Sequence, residues 1–168
     1  MKSLYVNRST VAATLATAGL AAFGAASAHA ANPEPTIPTL MPGGRAVVTG
    51  THVSCQVTAS SVACAEAGGL SATLDTTGAT RVAKSTAPLQ ASGKLMRLSP
   101  NGGFVNLGAG GNGIYCHVYV QGDRILSCAI NGGHDAGDRG FDISDRSIVL
   151  FRYDAEGGRH DLKTYRQP

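Results

Sequence analysis

The chain has 168 residues, with 14 Lys and Arg, 11 Asp and Glu, 22 Gly, four Cys and no Trp. This length favours one domain over two, and a charged fraction of 15% is too low for a chain kept disordered by its own charge. The formal net charge of +3 is small, so the composition does not indicate binding to nucleic acid or to an anionic membrane surface.

Residues 1–30 have the three parts of a secretory signal peptide. Lys2 and Arg8 provide the positive start, residues 11–26 are uncharged and rich in Ala, Leu and Gly, and Ala28-His29-Ala30 has the small-x-small pattern of a cleavage site. The uncharged stretch is too short and too poor in large apolar residues for a membrane span, and no later segment resembles one. We therefore expect cleavage after Ala30 and a mature chain that is secreted or periplasmic.

Residues 31–43 are predicted to form a proline-rich spacer, and residues 44–168 a single domain. Prolines stand at positions 33, 35, 38 and 42, and proline both removes backbone donors and holds the chain extended. The chain also uses Arg more often than Lys, 10 against 4, together with much Ala and Gly. This composition is typical of a GC-rich bacterial gene.

An even number of cysteines in an exported chain predicts disulfides. Alternating apolar and polar residues on either side of a short turn place Cys55 opposite Cys64. A second strand pair, around a Gly-containing turn at 121–123, places Cys116 opposite Cys128. Opposed residues in an antiparallel pair have Cα atoms about 4.5–5.5 Å apart, which is within reach of a disulfide. The spacing fits neither a zinc ribbon nor a Cys-x-x-Cys redox motif.

The two cysteine segments also resemble each other. The first reads VSCQV and then VACAEAGG, and the second reads IYCHV and then LSCAINGG. In both segments an alternating strand carries the first cysteine, and a Gly-Gly pair begins four residues after the second. We interpret this similarity as an internal repeat of a hairpin clipped by a disulfide.

Short strand-like runs separated by turn residues fill the rest of the chain, and no stretch of the mature chain shows a sustained helical period. These patterns predict an all-β fold, a small disulfide-stabilised antiparallel sandwich or barrel of roughly 8–10 strands. Residues 71–92 are rich in Ser, Thr and Ala, which favours exposed edge strands or a long loop. The strand-like runs are Leu70–Leu74, Arg81–Lys84, Lys94–Leu98, Phe104–Leu107, Ile148–Tyr153 and Leu162–Tyr165.

A Gly-rich segment at 108–113 matches the G-x-G-x-x-G pattern of dinucleotide-binding loops. That chemistry needs the last glycine to open a helix, whereas Ile114 opens a predicted strand. We therefore interpret the segment as a hairpin loop and assign no cofactor to it.

The segment 131–145 is predicted to be a loop and carries the densest set of chemically active side chains. Its carboxylates could bind calcium, which accepts oxygen ligands in irregular geometry, although their spacing fits no established calcium loop. The alternative is a solvated loop with ion pairs and no metal. The candidate residues are His134, Asp135, Asp138, Asp142 and Asp145.

The second cysteine hairpin carries a row of rings. If Cys116 faces the interior, then Tyr115, His117 and Tyr119 project from the opposite face of the strand. Rings supply contact area at low entropic cost, so this face is a candidate binding surface for a glycan or a protein. The alternative is that a neighbouring sheet covers the row and that the rings are packing residues.

Together these patterns predict an exported all-β protein that acts as a non-catalytic extracellular or envelope-associated binding module. Two alternatives remain open. One is a small secreted hydrolase, with or without calcium, that uses the loop from His134 to Asp145. The other is a secreted protease inhibitor that presents a disulfide-braced loop such as residues 65–92. The sequence assigns no catalytic residue and specifies neither the identity of the partner nor the oligomeric state.

Overall fold

The computed structural model describes residues 37–67, 69–85, 93–107, 113–119 and 122–168. The predicted signal peptide and the first six residues of the predicted spacer lie outside these ranges, as do positions 108–112 of the Gly-rich segment and residues 86–92. The described part of the chain contains twelve strands and no helix, so it has no helix long and apolar enough to cross a membrane.

The first of two six-stranded sheets has the strand order β5-β4-β3-β2-β1-β6. Strands β1 to β5 form an antiparallel meander, and β6 joins the edge of the sheet in parallel with β1. The strands are β1 (Arg45–Val48), β2 (Val53–Val57), β3 (Ser61–Glu66), β4 (Leu70–Asp75), β5 (Thr80–Lys84) and β6 (Leu95–Leu98).

The second sheet is an antiparallel meander with the order β12-β11-β10-β9-β8-β7. Its strands are β7 (Gly103–Leu107), β8 (Gly113–Val118), β9 (Arg124–Ile130), β10 (Arg139–Ser144), β11 (Ser147–Tyr153) and β12 (Arg159–Arg166). The two sheets form a sandwich and not a closed barrel, which confirms the predicted all-β class and decides between its two options.

Three details of the prediction are wrong. The twelve strands exceed the expected number. Strand β10 occupies residues 139–144, inside the segment 131–145 that was predicted to be a loop. Within 71–92, only β5 is an edge strand, because β4 lies between β3 and β5. The flanks of the Gly-rich segment, β7 and β8, do pair as an antiparallel hairpin.

Regular alternation of buried and exposed side chains builds the core between the sheets. Cys55 and Val57 point inward from β2, and Cys116 and Val118 point inward from β8. Because the alternation has a period of two, the positions between these residues face away from the core. That rule decides which side chains the second sheet presents to solvent.

Both predicted disulfides are present. Cys55 is bonded to Cys64, and Cys116 to Cys128, and each pair lies directly opposite on its hairpin. The two bridges meet at the centre of the sandwich, since the Sγ atoms of Cys64 and Cys128 are 3.9 Å apart. Each sheet is therefore clipped at the point where it packs on the other.

The internal repeat extends beyond the cysteine hairpins. Thr39 forms a parallel bridge with Val105 of β7, and Arg97 of β6 pairs in parallel with Val47 of β1. The same interval, 58 residues, separates Thr39 from Arg97 and Val47 from Val105. The segment around Thr39 precedes β1, the first strand of the first half of the repeat, and β6 precedes β7, the first strand of the second half. Each of these two leading segments therefore pairs with the first strand of the other half.

The turns that follow these leading segments are also equivalent. The Gly44 amide donates to the Met41 carbonyl, and the Gly102 amide donates to the Ser99 carbonyl, both at 2.9 Å. Gly43 and Asn101 occupy the third position of their turns with φ of 83° and 59°, a conformation that only Gly and Asn adopt readily after Pro in this kind of turn. The end of the predicted spacer is thus a folded part of the domain.

Candidate functional site

The side of the second sheet that points away from the core, here called the outer face, carries the predicted row of rings. Tyr115 and Tyr119 are 37% and 38% exposed, and His117 between them is also exposed. Their cross-strand neighbours on β9 are small, Ala129 opposite Tyr115 and Ser127 opposite His117. The rings of His117 and Tyr119 contact edge to face with centroids 5.1 Å apart. In the described part of the molecule no other sheet covers this row.

Arg124, the first residue of β9, extends the row of rings. Its guanidinium lies over the Tyr119 ring, 4.7 Å from the centroid, and its Nε atom is 3.0 Å from Oδ2 of Asp142. The two terminal nitrogens of Arg124 have no hydrogen-bond partner among the described residues. A half-exposed guanidinium is therefore held in place next to Tyr119 with most of its donors unused.

Asp142 holds the centre of this surface. It lies on β10 opposite Ser127, and its side chain is only 8% exposed. Its Oδ2 atom forms ion pairs with Nε of Arg124 at 3.0 Å and with Nη2 of Arg159 at 2.7 Å, whereas Oδ1 is enclosed without a hydrogen-bond partner in the described structure. Arg124 at the start of β9 and Arg159 at the start of β12 thus share one buried carboxylate on β10.

Arg159 lies on the other side of Asp142 from Arg124. Its guanidinium stacks over the Phe151 ring at 4.0 Å and also contacts Asp161 at 2.9 Å. Burial lowers the pKa of Arg159, but the hydrogen bonds and charges of Asp142 and Asp161 outweigh that effect and set its pKa above the ordinary value. Arg159 therefore stays charged, and the charges alternate in the order Arg124, Asp142, Arg159, Asp161.

Two clefts flank the outer face. One, with a volume of about 200 Å³, lies over the charged cluster and includes Asp123, Ser144 and Ser147 in its walls. The other, with a volume of about 370 Å³, lies between the leading segment at Ile37 and Pro38, the turn at 101–103, and the side chains of Tyr115 and His117. The row of rings thus runs between a polar cleft and a mainly apolar one.

The acidic candidates from 131–145 are not brought together. Asp138 is buried, and its Oδ2 atom accepts the Asp135 amide at 2.9 Å. Asp142 lies within the sheet, and Asp145 is exposed beside Arg146. Among the described residues, the only three metal-ligating side chains with ligand atoms within 4.8 Å of one another are Cys64, Cys116 and Cys128, all of which are in disulfides. The carboxylates of this segment therefore form no common ligand set for calcium.

The internal repeat provides a comparison for the ring row. Aligned on their first cysteines, the two hairpins place Ser54 where the other has Tyr115, and Gln56 where it has His117. Ser54 and Gln56 are half-buried residues on the corresponding face of β2. The hairpin therefore forms without rings at these positions, and the fold does not account for their presence in the second sheet.

Comparison of the chain with protein-family models, with curated proteins and with solved structures finds no match. The site rests on this chain's own geometry. Sequence reasoning identified the rings but missed Arg124, Arg159 and Phe151, which the antiparallel pairing of β9 to β12 brings to the same face. The available signal was the alternation of Phe141, Asp142 and Ile143, which is typical of a strand.

Proposed function

We propose that this protein is an exported, non-catalytic module that binds a glycan on the outer face of its second sheet. The observation that carries the proposal is the exposed row of Tyr115, His117 and Tyr119. The first cysteine hairpin has small or polar side chains at the equivalent positions. Tyr and His rings offer a flat apolar surface together with a polar atom at low entropic cost. This combination suits a sugar ring, which has an apolar C–H face and a polar rim.

The surroundings of the rings favour a glycan over a protein. The desolvated centre of a protein interface is depleted of charged residues, whereas β9 and β10 place Ser127, Ala129, Asp142 and Ser144 on this face; the β7 neighbour of Tyr115 is Val105. Side-chain donors and acceptors next to ring faces match a ligand rich in hydroxyl groups. The backbone positions that carry these rings repeat about every 7 Å along the strand, so the row also favours a ligand that itself repeats.

A binding role is favoured over hydrolysis because Asp142, Asp138 and Asp154 are each engaged by other groups. Asp142 is shared by two arginines, and Asp138 accepts a backbone amide. The His160–Asp154 contact, at 2.5 Å, lies in an exposed turn where the same carboxylate accepts two backbone amides. Export is supported by two disulfides in the core, which form and persist in oxidising compartments.

The test is binding of the oxidised protein to a panel of soluble and insoluble polysaccharides, with the double variant Tyr115→Ser/His117→Gln. This variant gives the second hairpin the residues that the first hairpin already uses, so we expect an unchanged melting temperature. Loss of two stacking contacts should weaken glycan binding about tenfold or more.

The matched control is Ser54→Ala/Gln56→Ala on the corresponding face of the first sheet, which should leave binding unchanged. Equal binding by the wild type and by the ring-deleted variant, or binding to a protein partner in place of every glycan, would overturn the proposal. Sugar release from any polysaccharide in the panel would favour the hydrolase instead.

A further inference from the structure

This inference rests on the proposed function and concerns the chemical class of the glycan. Arg124 is the positive end of the alternating charges on the outer face, since Arg159 lies between two carboxylates while Arg124 contacts only Asp142. That positive end is the one beside the rings, because the guanidinium of Arg124 lies over Tyr119. The charge nearest to the ring row is therefore positive.

Contacts within the domain position the Arg124 side chain. Asp142 fixes the Nε atom, and the Tyr119 ring supports the plane of the guanidinium. The terminal nitrogens have no partner among the described residues, and the side chain is 37% exposed. An ordered, planar pair of N–H donors matches a carboxylate in two-point geometry and loses little further entropy when it binds one.

The first hairpin again provides the comparison. Arg124 precedes Cys128 by four residues, and the residue four before Cys64 is Ser60. Ser60 lies in the turn between β2 and β3, and its amide bonds the Thr58 hydroxyl. The arginine is therefore present only in the hairpin that also carries the rings.

We propose that the outer face selects acidic saccharides, with the sugar carboxylate held by the terminal nitrogens of Arg124 and the saccharide packed on the rings of His117 and Tyr115. Arg124 is then the specificity-determining residue of the site. Asp123 lines the same cleft and has no ion-pair partner among the described residues, so its charge opposes the bound carboxylate and limits affinity.

The test is calorimetric titration of the full mature protein with an oligogalacturonate and with the methyl ester of the same oligosaccharide. The ester keeps the sugar rings and removes the negative charge. We expect the acid to bind about tenfold more tightly than the ester. Arg124→Lys keeps the charge but loses the planar fork, and it should remove most of this preference.

Asp123→Asn serves as a second variant that removes no contact in the described structure, and it should strengthen binding of the acid several-fold at low salt. Equal affinity for acid and ester, or a preference that survives Arg124→Lys, would overturn this inference and leave the proposed glycan-binding function intact. If neither oligosaccharide nor any other glycan in the panel binds, the proposed function itself fails. A sulfated oligosaccharide that outcompetes the uronate would also contradict the choice of a carboxylate.

Discussion

Asp142 carries a negative charge into the middle of a sheet, between the buried side chains of Phe141 and Ile143. A carboxylate in such a place costs free energy unless cations neutralise it. Arg124 and Arg159 do so, and in turn each guanidinium is held against a ring. The buried acid therefore organises the outer face as well as being stabilised by it.

Replacement of Asp142 with Asn should lower the free energy of unfolding by about 2–3 kcal/mol, because two partly buried guanidinium groups lose their shared anion. Urea unfolding at pH 7 measures this difference. The control is Asp145→Asn, which removes an exposed carboxylate 4.0 Å from Arg146 and should change stability by less than about 0.5 kcal/mol. Similar losses in the two variants would contradict the structural role given to Asp142.

At the scale of elements, two turns have the same pattern of hydrogen bonds from backbone amides to an Asp side chain. In the turn between β4 and β5, Oδ1 of Asp75 accepts the amides of Thr77 and Ala79. In the turn between β11 and β12, Oδ1 of Asp154 accepts the amides of Glu156 and Gly158. In both turns the acid comes first because its carboxylate accepts the backbone amides that follow it.

These carboxylates make stability depend on pH. The Thr77 hydroxyl holds the pKa of Asp75 below its ordinary value of 3.8, and the hydrogen bond with His160 does the same for Asp154. A lowered folded pKa stabilises the protein above the unfolded pKa, and this contribution is lost as the pH falls through the folded value. Stability should therefore decrease below about pH 4.

The double variant Asp75→Asn/Asp154→Asn keeps an acceptor for the turn amides but removes both titrations. It should lose less stability than the wild type between about pH 4 and pH 2, as measured by urea unfolding at a series of pH values. Parallel acid dependence in the two proteins would show that other carboxylates control this range.

The first leading segment, around Leu40, is an element that sequence reasoning missed. Leu40 was assigned to a spacer, yet it is 2% exposed, and its amide donates to Val105 at 2.9 Å. Leu40 lies between Pro38 and Pro42, and prolines in a sequence indicate an extended chain without strand pairing. The prediction therefore did not place Leu40 in the core. A parallel bridge to a strand more than sixty residues away leaves no local pattern.

Leu40→Ala should lower the free energy of unfolding by about 2–4 kcal/mol, since it opens a cavity at the edge of the core. Leu98, its equivalent in the second leading segment, is 3% exposed, so Leu98→Ala should cost a similar amount. Leu162→Ala, at a side chain that is 49% exposed, is the control and should cost less than about 0.5 kcal/mol. If Leu40→Ala behaves like this control, the first segment is not part of the folded domain.

Features set by neighbouring residues could be predicted from the sequence, whereas features set by contacts between distant strands could not. The disulfide pairing follows from alternation around short turns, and it is confirmed. Strand β10 was missed because its acid and glycine resemble a loop, and the arginines that neutralise Asp142 come from other strands. The rings of the candidate site could be predicted from the alternation within β8 alone. The charged side chains beside them are brought together only by the pairing of the four strands β9 to β12.

At the scale of the whole molecule, the exchange of leading segments ties the two sheets together. β6 belongs to the second half by its position before β7 but completes the first sheet, and the segment at Thr39 completes the second. The remaining edges carry charged side chains, among them Arg81 and Lys84 on β5 and Lys163 on β12. Charged edges oppose pairing with the strands of another chain.

The repeat also bears on how such a surface can arise. A hairpin encoded twice gives a protein one copy that preserves the fold and another whose solvent-facing positions are free to change. Ser54 and Gln56 stand in one copy, while Tyr115, His117 and Arg124 are found in the other. Duplication within a single gene can therefore separate the evolution of stability from the evolution of recognition, with each sheet of the sandwich subject to its own selection.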